Sequence, residues 1–318
     1  MRPLMVLLAM LASAGVYAQT YPAHPIRLVI PFAPGGSTDL GGRLVALGMA
    51  EILGQSIVVD NRAGAGGVLG TDLVAKAAPD GYTLAMATSG TFGINPSLYP
   101  SLPYDPQRAF DPVGQISSGA LTFVIAAERS QKTLAEFAQW AQSHSGTVNF
   151  ASSGSGTPPH LLAVLFNQTL NIRAAHIPFK GGAPALAATM AGQTDYDLDV
   201  VPTSLQQMRA GRIRILAVTT PARVAMLPEV PTVAEAGYGG LTTTIWNGLV
   251  APAGTPRPVI ERLNAALVSV LRRAAVRQRF ADLGIEPAAA SPESFGALLQ
   301  EEMARWAPLV KQSGATVD

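Results

Sequence analysis

Short apolar runs alternate with amphipathic stretches along nearly the whole chain, and this rhythm restricts the fold more than any other feature. Ile26-Arg27-Leu28-Val29-Ile30 reads as a buried strand that breaks at Pro31-Phe32-Ala33-Pro34-Gly35-Gly36. Leu40, Leu44, Leu47 and Ile52 then recur at helical spacing up to Gly54. Further strands are expected at 57–59, 82–87, 123–126, 148–151, 176–178, 198–201 and 213–218. Helices are expected over 68–78, 133–144, 161–170, 184–192, 259–271 and 292–310, with Thr133 and Glu136 spaced as a capping box. Strands alternating with helices imply an α/β fold, each domain a mainly parallel sheet flanked by helices.

A chain of 318 residues suits two domains of ordinary size. The composition shifts near Gly114 to Gly119, and again between Leu227-Pro228-Glu229-Val230-Pro231 and Trp246-Asn247-Gly248. Read as two crossings, these shifts give a discontinuous first domain, 19–118 plus 246–318, and a contiguous second, 119–245. A ligand cleft between them with two connecting segments makes a hinge.

Composition narrows the function. Lys+Arg total 22 and Asp+Glu 21, a balance that argues against nucleic acid as a partner, since phosphates require a basic face. With no cysteine there is no disulfide, thiolate metal site or thiol nucleophile. His24, His144, His160 and His176 are scattered and no HExxH pair occurs, so neither a metal nor any other cofactor is expected. Arg2, the apolar run from Leu4 to Ala14 and Val16-Tyr17-Ala18 have the layout of a signal peptide, 1–18. Cleavage is expected before Gln19, with the bond after Ala14 as second choice. The apolar run falls short of the roughly 20 residues a membrane span requires, so the mature chain is expected in the periplasm as a monomer.

Four strand-to-helix junctions share a composition: Pro34-Gly35-Gly36-Ser37-Thr38, Ser89-Gly90-Thr91, Ser153-Gly154-Ser155-Gly156-Thr157 and Lys180-Gly181-Gly182-Ala183. Glycine lets a ligand approach the backbone, hydroxyls add donors, and a helix N-terminus presents unpaired N–H groups to an anion. Any one such loop serves equally well as a plain turn. Four together, two from each expected domain, weigh toward a binding cleft at the carboxyl ends of the strands. Lys180 is the one basic residue among them and no GxxxxGK[ST] pattern exists, so a carboxylate held by neutral dipoles fits better than a phosphate. Lys180 itself reads as solvated, and Asp39 as a complement to its helix dipole. Asp199, at a strand end, suits either a ligand amine or hydroxyl or a structural hydrogen bond. Gly64-Ala65-Gly66-Gly67-Val68-Leu69-Gly70 misses the dinucleotide spacing by one residue and reads as a tight turn into a helix beside the cleft. Ser153 and Ser155 lie near His160 and His176 in sequence, which leaves a Ser/His-dependent hydrolase of a small ester or amide as the alternative. No GxSxG elbow supports it.

Longer segments carry a resemblance. They include Pro25-Ile26-Arg27 leading into Pro31-Phe32-Ala33-Pro34-Gly35-Gly36 and Asp39, Asn61-Arg62-Ala63-Gly64-Ala65-Gly66-Gly67, Pro79-Asp80-Gly81-Tyr82 and Asn95-Pro96. Later come Ala151-Ser152-Ser153-Gly154-Ser155-Gly156-Thr157 with His160, Pro178-Phe179-Lys180-Gly181, Leu227-Pro228-Glu229-Val230-Pro231-Thr232 and Arg305-Trp306. In these the chain resembles the Bug family, extracytoplasmic receptors of tripartite tricarboxylate transporters, in order and over essentially the whole mature chain. The resemblance implies a two-domain Venus-flytrap receptor, not an enzyme, which binds a small carboxylate for uptake by membrane transporter subunits or for sensing. Carried over, the contacts are Gly35, Gly36, Ser37, Thr38, Asp39, Ser89, Gly90 and Thr91 from one domain. Those of the other are Ser153, Gly154, Ser155, Gly156, Thr157, Lys180, Gly181, Gly182, Ala183 and Asp199. Phe179 stands where the family often has Tyr, and Thr194-Asp195-Tyr196-Asp197-Leu198-Asp199 is more acidic than usual; both departures bear on the ligand.

Overall fold

The computed structural model describes residues 21–179 and 181–316. The signal peptide at 1–18, its cleavage before Gln19 and the contact expected from Lys180 lie outside these residues. Two sheets organise the chain. The first contains β1 (Ile26–Ile30), β2 (Ile57–Asn61), β3 (Thr83–Thr88), β4 (Phe110–Gly119), β10 (Ile245–Pro252) and β11 (Glu286–Pro287), in the order β11-β4-β10-β3-β1-β2. The second contains β5 (Leu121–Ala126), β6 (Val148–Ser152), β7 (Ala174–Pro178), β8 (Tyr196–Val200) and β9 (Ile213–Val218), in the order β7-β6-β8-β5-β9.

The α/β architecture agrees with the alternation of the sequence, but the sheets are mixed rather than mainly parallel. β1 runs parallel to β2 and β3, and β6 parallel to β7 and β8. In each sheet one strand next to a crossing runs the other way, β10 in the first and β5 in the second. β4 and β10 are antiparallel neighbours, β10 is antiparallel to β3, and β5 is antiparallel to β8 and β9. Sequence periodicity does not reveal β4 and β10, because Pro112, Gly114 and Gly248 interrupt it. Their pairing accommodates these residues with register shifts at 247/248 and 249/250, the usual way a ladder absorbs such residues. Gly248 has a further reason to lack a side chain: a Cβ there would lie 2.1 Å from Cζ of Phe295.

Helices cover both faces of the first sheet. The helix α1 (Ser37–Leu53) and the helix α8 (Arg257–Arg272) bury Val45, Ala46, Met49, Leu263, Leu267 and Val270 against Ile26, Leu28 and Ile30. Ile260, Leu263, Ala266, Leu267, Val270 and Leu271 recur at three- and four-residue spacing, which places them on one face. Each such large side chain contributes about 1.5–3 kcal/mol on burial. On the opposite face α10 (Pro292–Ser313) inserts Phe295, Leu299 and Met303 beside Trp246 and Phe110. The second sheet has a core built on Phe123, Phe137, Phe150, Phe166 and Tyr196. The helix α4 (Leu134–Ser143) starts as expected: Thr133 Oγ1 accepts the Glu136 N–H at 3.1 Å.

The two halves also touch. Leu161 of α5 (Pro158–Thr169), over the second sheet, joins Ile94, Leu98, Trp306 and Val310 of the first half in one apolar cluster. Gln168 Nε2 donates to the carbonyl of Gln312 at 2.8 Å alongside it.

Candidate ligand cleft between the two sheets

The loops that follow β1, β3 and β6 converge on a cavity of about 230 Å³ between the sheets. Ser37, Thr38, Ser89, Gly90, Ser153, Ser155, Gly156 and Thr157 line it, all expected from the sequence. Gly35, Gly36, Asp39, Thr91, Gly154, Gly181, Gly182, Ala183 and Asp199 do not. A larger hollow of about 640 Å³ lies between segments 224–226 and 272–287, but none of the four glycine-rich loops reaches it.

The non-lining residues hold the lining ones in place. Asp39 is buried, and its carboxylate accepts the Gly35 N–H at 2.9 Å, Arg43 Nε at 3.0 Å and Asn61 Nδ2 at 2.9 Å. Burial would raise its pKa, but the hydrogen bonds from Arg43, Gly35 and Asn61 outweigh it and hold the carboxyl below its ordinary range. Asp39 thereby closes the loop at the start of α1. Gly36, the N-cap residue, supplies no side chain, so the first-turn N–H groups are left for another acceptor.

Thr88 and Thr91 cap the turn of π-helix from Ser89 to Ile94 reciprocally: Thr91 N–H donates to Thr88 Oγ1 at 3.1 Å and Thr88 N–H to Thr91 Oγ1 at 3.0 Å. The Thr91 hydroxyl is spent on this cap. Ser89 Oγ accepts the Trp246 N–H at 2.8 Å, which ties the loop to β10. Thr38 Oγ1 donates to Asn247 Oδ1 at 3.1 Å. Asp199 is also structural: it is buried, Thr203 Oγ1 and Ser204 Oγ donate to its Oδ2, and a Cβ on Gly182 would stand 2.8 Å from its Oδ1.

The wall after β6 is built differently from the expected helix-terminus site. Pro158 and Pro159 occupy the first two positions of α5 and have no N–H to give. Gly156 N–H is taken by His160 Nδ1 at 3.0 Å. Ser152 Oγ lies 2.6 Å from His176 Nε2 and accepts the Gly154 N–H at 3.1 Å. The two imidazoles stack with centroids 3.8 Å apart. Burial lowers both pKa values to about 4, with the neighbouring His176 adding to the effect on His160. The pair is therefore a neutral brace under the loop. Among the described residues no carboxylate hydrogen-bonds to either ring, so the geometry offers no orienting acid of the kind a Ser–His hydrolase requires.

Sequence reasoning missed Asn95, Leu98, Tyr99, Leu121, Val200 and Ile245 as lining residues. All but Asn95 and Tyr99 are aliphatic side chains that resemble ordinary core until the sheets are placed together. Gly66, in the turn expected beside the cleft, reaches the cavity, and Asn95 Nδ2 donates to its carbonyl at 3.0 Å.

A family model described as tripartite tricarboxylate transporter family receptor matches residues 42–315. The chain belongs to this family. The receptor is 37% identical over 304 residues to protein BugT of Bordetella pertussis, covering 95% of this chain and 93% of that protein. Among solved structures it is similar to MatC from Rhodopseudomonas palustris with bound malate: 37% identity, TM-score 0.82, 91% of this chain and 100% of that one. An adipate-bound protein of R. palustris is 33% identical with a TM-score of 0.86, covering 93% and 99%. The family is one of periplasmic substrate-binding receptors and not of enzymes, and nothing supports the hydrolase alternative.

Titration of buried groups gives this receptor two opposed pH dependences. Between pH 6.5 and about 4 an unfolded chain takes up protons that folded His160 and His176 refuse, so their contribution is lost as pH falls through that window. Asp197 acts in the other direction. Both its oxygens are buried without a hydrogen-bond partner among the described residues, and burial, with Asp199 beside it, pushes its pKa up to about 8. Its folded form keeps a proton that the unfolded form releases above 3.8, so its contribution is present at acid pH and lost as pH rises to 8. Asp197→Asn should remove the alkaline loss. Thermal melts across pH 5 to 8 should show the variant gaining on the native protein by roughly 5 °C or more. A constant difference would mean that Asp197 does not titrate in this range.

Proposed function

We propose that this protein is a periplasmic receptor that captures one small carboxylate in the cleft between its two α/β halves and, as a monomer, presents it to the membrane subunits of a tripartite transporter. The cavity walled by loops from both halves carries this reading. Its donors are hydroxyls and uncapped amides, which suit an oxygen anion. The proposed contacts are Ser37, Thr38, Ser89, Gly90, Ser153, Ser155, Gly156 and Thr157. The carboxylates in two solved relatives, malate and adipate, support the ligand class. The proposed units are 19–118 with 246–318, and 119–245, joined where β4 passes into β5 and where the chain returns to β10.

Loops on two halves reach one small molecule together only when the cleft is closed, so binding favours closure. A panel of mono-, di- and tricarboxylates should raise the melting temperature for at least one member by mass action. That member should also lower the radius of gyration in small-angle scattering. A ligand that binds tightly without changing the radius would mean that the cleft is closed before binding or that the site lies in one half alone.

A further inference from the structure

Arg305 and Trp306 stand together in the last helix, and neither is among the residues that line the cleft. Arg305 bears instead on the segment through which the chain returns from the second half to the first. Up to Thr243 that segment belongs to the second half: Tyr238 and Leu241 pack in its core, and Thr243 N–H donates to the Thr219 carbonyl at 2.8 Å. At Ile245 the chain has joined β10. Ile245 pairs with Gly119 and Trp246 with Ser118, so the outgoing and returning connections run side by side here. Trp246 also lines the cavity, and its backbone N–H donates to Ser89 Oγ, one of the proposed contacts.

One turn of α10 grips this connection at both ends. Glu302 is buried, and its Oε2 accepts the Trp246 indole N–H at 2.9 Å. Arg305 Nη1 lies 3.6 Å from Glu302 Oε1, and Nη2 of the same side chain donates to the Thr242 carbonyl. A guanidinium is a planar fork, so a carboxylate on one arm fixes the direction of the other. A buried carboxylate requires such partners, and Glu302 has them on both oxygens. The Trp246 end of the grip stays within the first half. The Thr242 end crosses to the second half, so a rotation of that half about 243–245 moves the Thr242 carbonyl against Arg305.

We propose that Arg305 is a positioning residue for ligand capture: its bond to the Thr242 carbonyl holds the return connection in the arrangement in which the cleft walls touch, and so sets how much of the ligand-free receptor is ready to bind. This rests on the receptor reading and adds to it a residue outside the cavity. Apparent affinity falls with the fraction of molecules in the binding-competent state, so a change at Arg305 reaches the ligand without touching it. A plain surface ion pair at this place would contribute little to stability and nothing to binding.

Two measurements on Arg305→Ala and Arg305→Lys test this. Small-angle scattering compares the radii of gyration of the ligand-free proteins. Calorimetric titration with malate, succinate, adipate, citrate and benzoate compares their affinities. Arg305→Ala should have a larger ligand-free radius than the native protein, and should bind whichever of these acids the native protein binds roughly fivefold or more weakly. Its melting temperature should stay within about 3 °C of native, because a partly exposed ion pair adds little to the fold. Arg305→Lys keeps a donor for Thr242 but loses the fork, so it should fall between the two in radius and in affinity. Equal ligand-free radii for the native protein and Arg305→Ala overturn the inference, and so does an unchanged affinity. A loss of affinity accompanied by a fall of roughly 10 °C or more in melting temperature also overturns it, since Arg305 would then act on the fold as a whole. If none of these acids binds the native protein, the receptor reading falls, while the radii still decide whether Arg305 holds the connection.

Discussion

Gly156→Asp should weaken ligand binding at least a hundredfold, about 2.7 kcal/mol, while the two halves remain folded. Gly156 has φ +74°, in the left-handed region, where a side chain costs free energy even before it meets a neighbour. A Cβ there would fall 2.0 Å from Cδ2 of Leu98 and 3.3 Å from its Cγ. Leu98 belongs to the other half, and it has little room to turn because Ile94, Leu161 and Trp306 surround it. The loop must therefore withdraw, which is opening of the cleft. Aspartate adds a negative charge to the wall that faces an anion. Gly156→Ala separates the two effects, because it has the close contact without the charge and should lose less. Titration calorimetry with the ligand that the carboxylate panel selects measures both variants. Unchanged affinity in Gly156→Asp would mean that the 153–157 loop does not close on the ligand.

Much of the architecture was legible because strands and helices differ in the period of their apolar residues. Ile26–Ile30 and Ile213–Val218 are continuous apolar or nearly apolar runs, and they became strands with little ambiguity, the first interior to its sheet and the second at an edge. β4 and β10 were not legible, since Phe110–Gly119 contains proline, glycine and serines whose place in a ladder depends on bulges that form only when the partner strand is present. The antiparallel character of the first sheet was hidden for the same reason; in the second, β5, β8 and β9 were read as strands, and only their pairing sets their directions.

The site divides along a similar line. Glycine and hydroxyl residues before helices marked three of the four loops at the cavity, since that chemistry is local, while 181–183 stays off it. Local chemistry did not say which hydroxyls remain free. Thr91 looks like a donor until its reciprocal cap with Thr88 is seen, and Asp199 until Thr203 and Ser204 are seen bonded to it. The apolar wall was illegible altogether. Leu121 and Val200 face each other across β5 and β8 and read as core in any one-dimensional view. Only the arrangement of the second sheet against the first turns them into a cavity surface.

Trp306→Ala should cost about 3–5 kcal/mol of stability, lowering the melting temperature by roughly 10 °C. The indole is fully buried, and a Cβ on Gly93 would come within 2.8 Å of its Cδ1, so the ring lies directly on the π-helical turn behind Ser89. It sits in the apolar cluster with Leu98 and Leu161, where the two halves meet. Its Nε1 donates to Glu302 Oε2 at 3.0 Å, and Trp246 Nε1 donates to the same oxygen at 2.9 Å. Removing the ring leaves a cavity and also frees Leu98, the residue against which Gly156 closes. Trp306→Phe keeps most of the packing and loses the N–H, so it should cost about 1 kcal/mol. Glu302→Leu does the converse: it keeps both indoles and leaves two buried N–H groups without an acceptor, each costing about 1–3 kcal/mol. Denaturant and thermal unfolding of the three variants rank these contributions. If Trp306→Ala lost no more than Trp306→Phe, the cluster would be a passive contact and the cleft would owe its closed geometry to the loops alone.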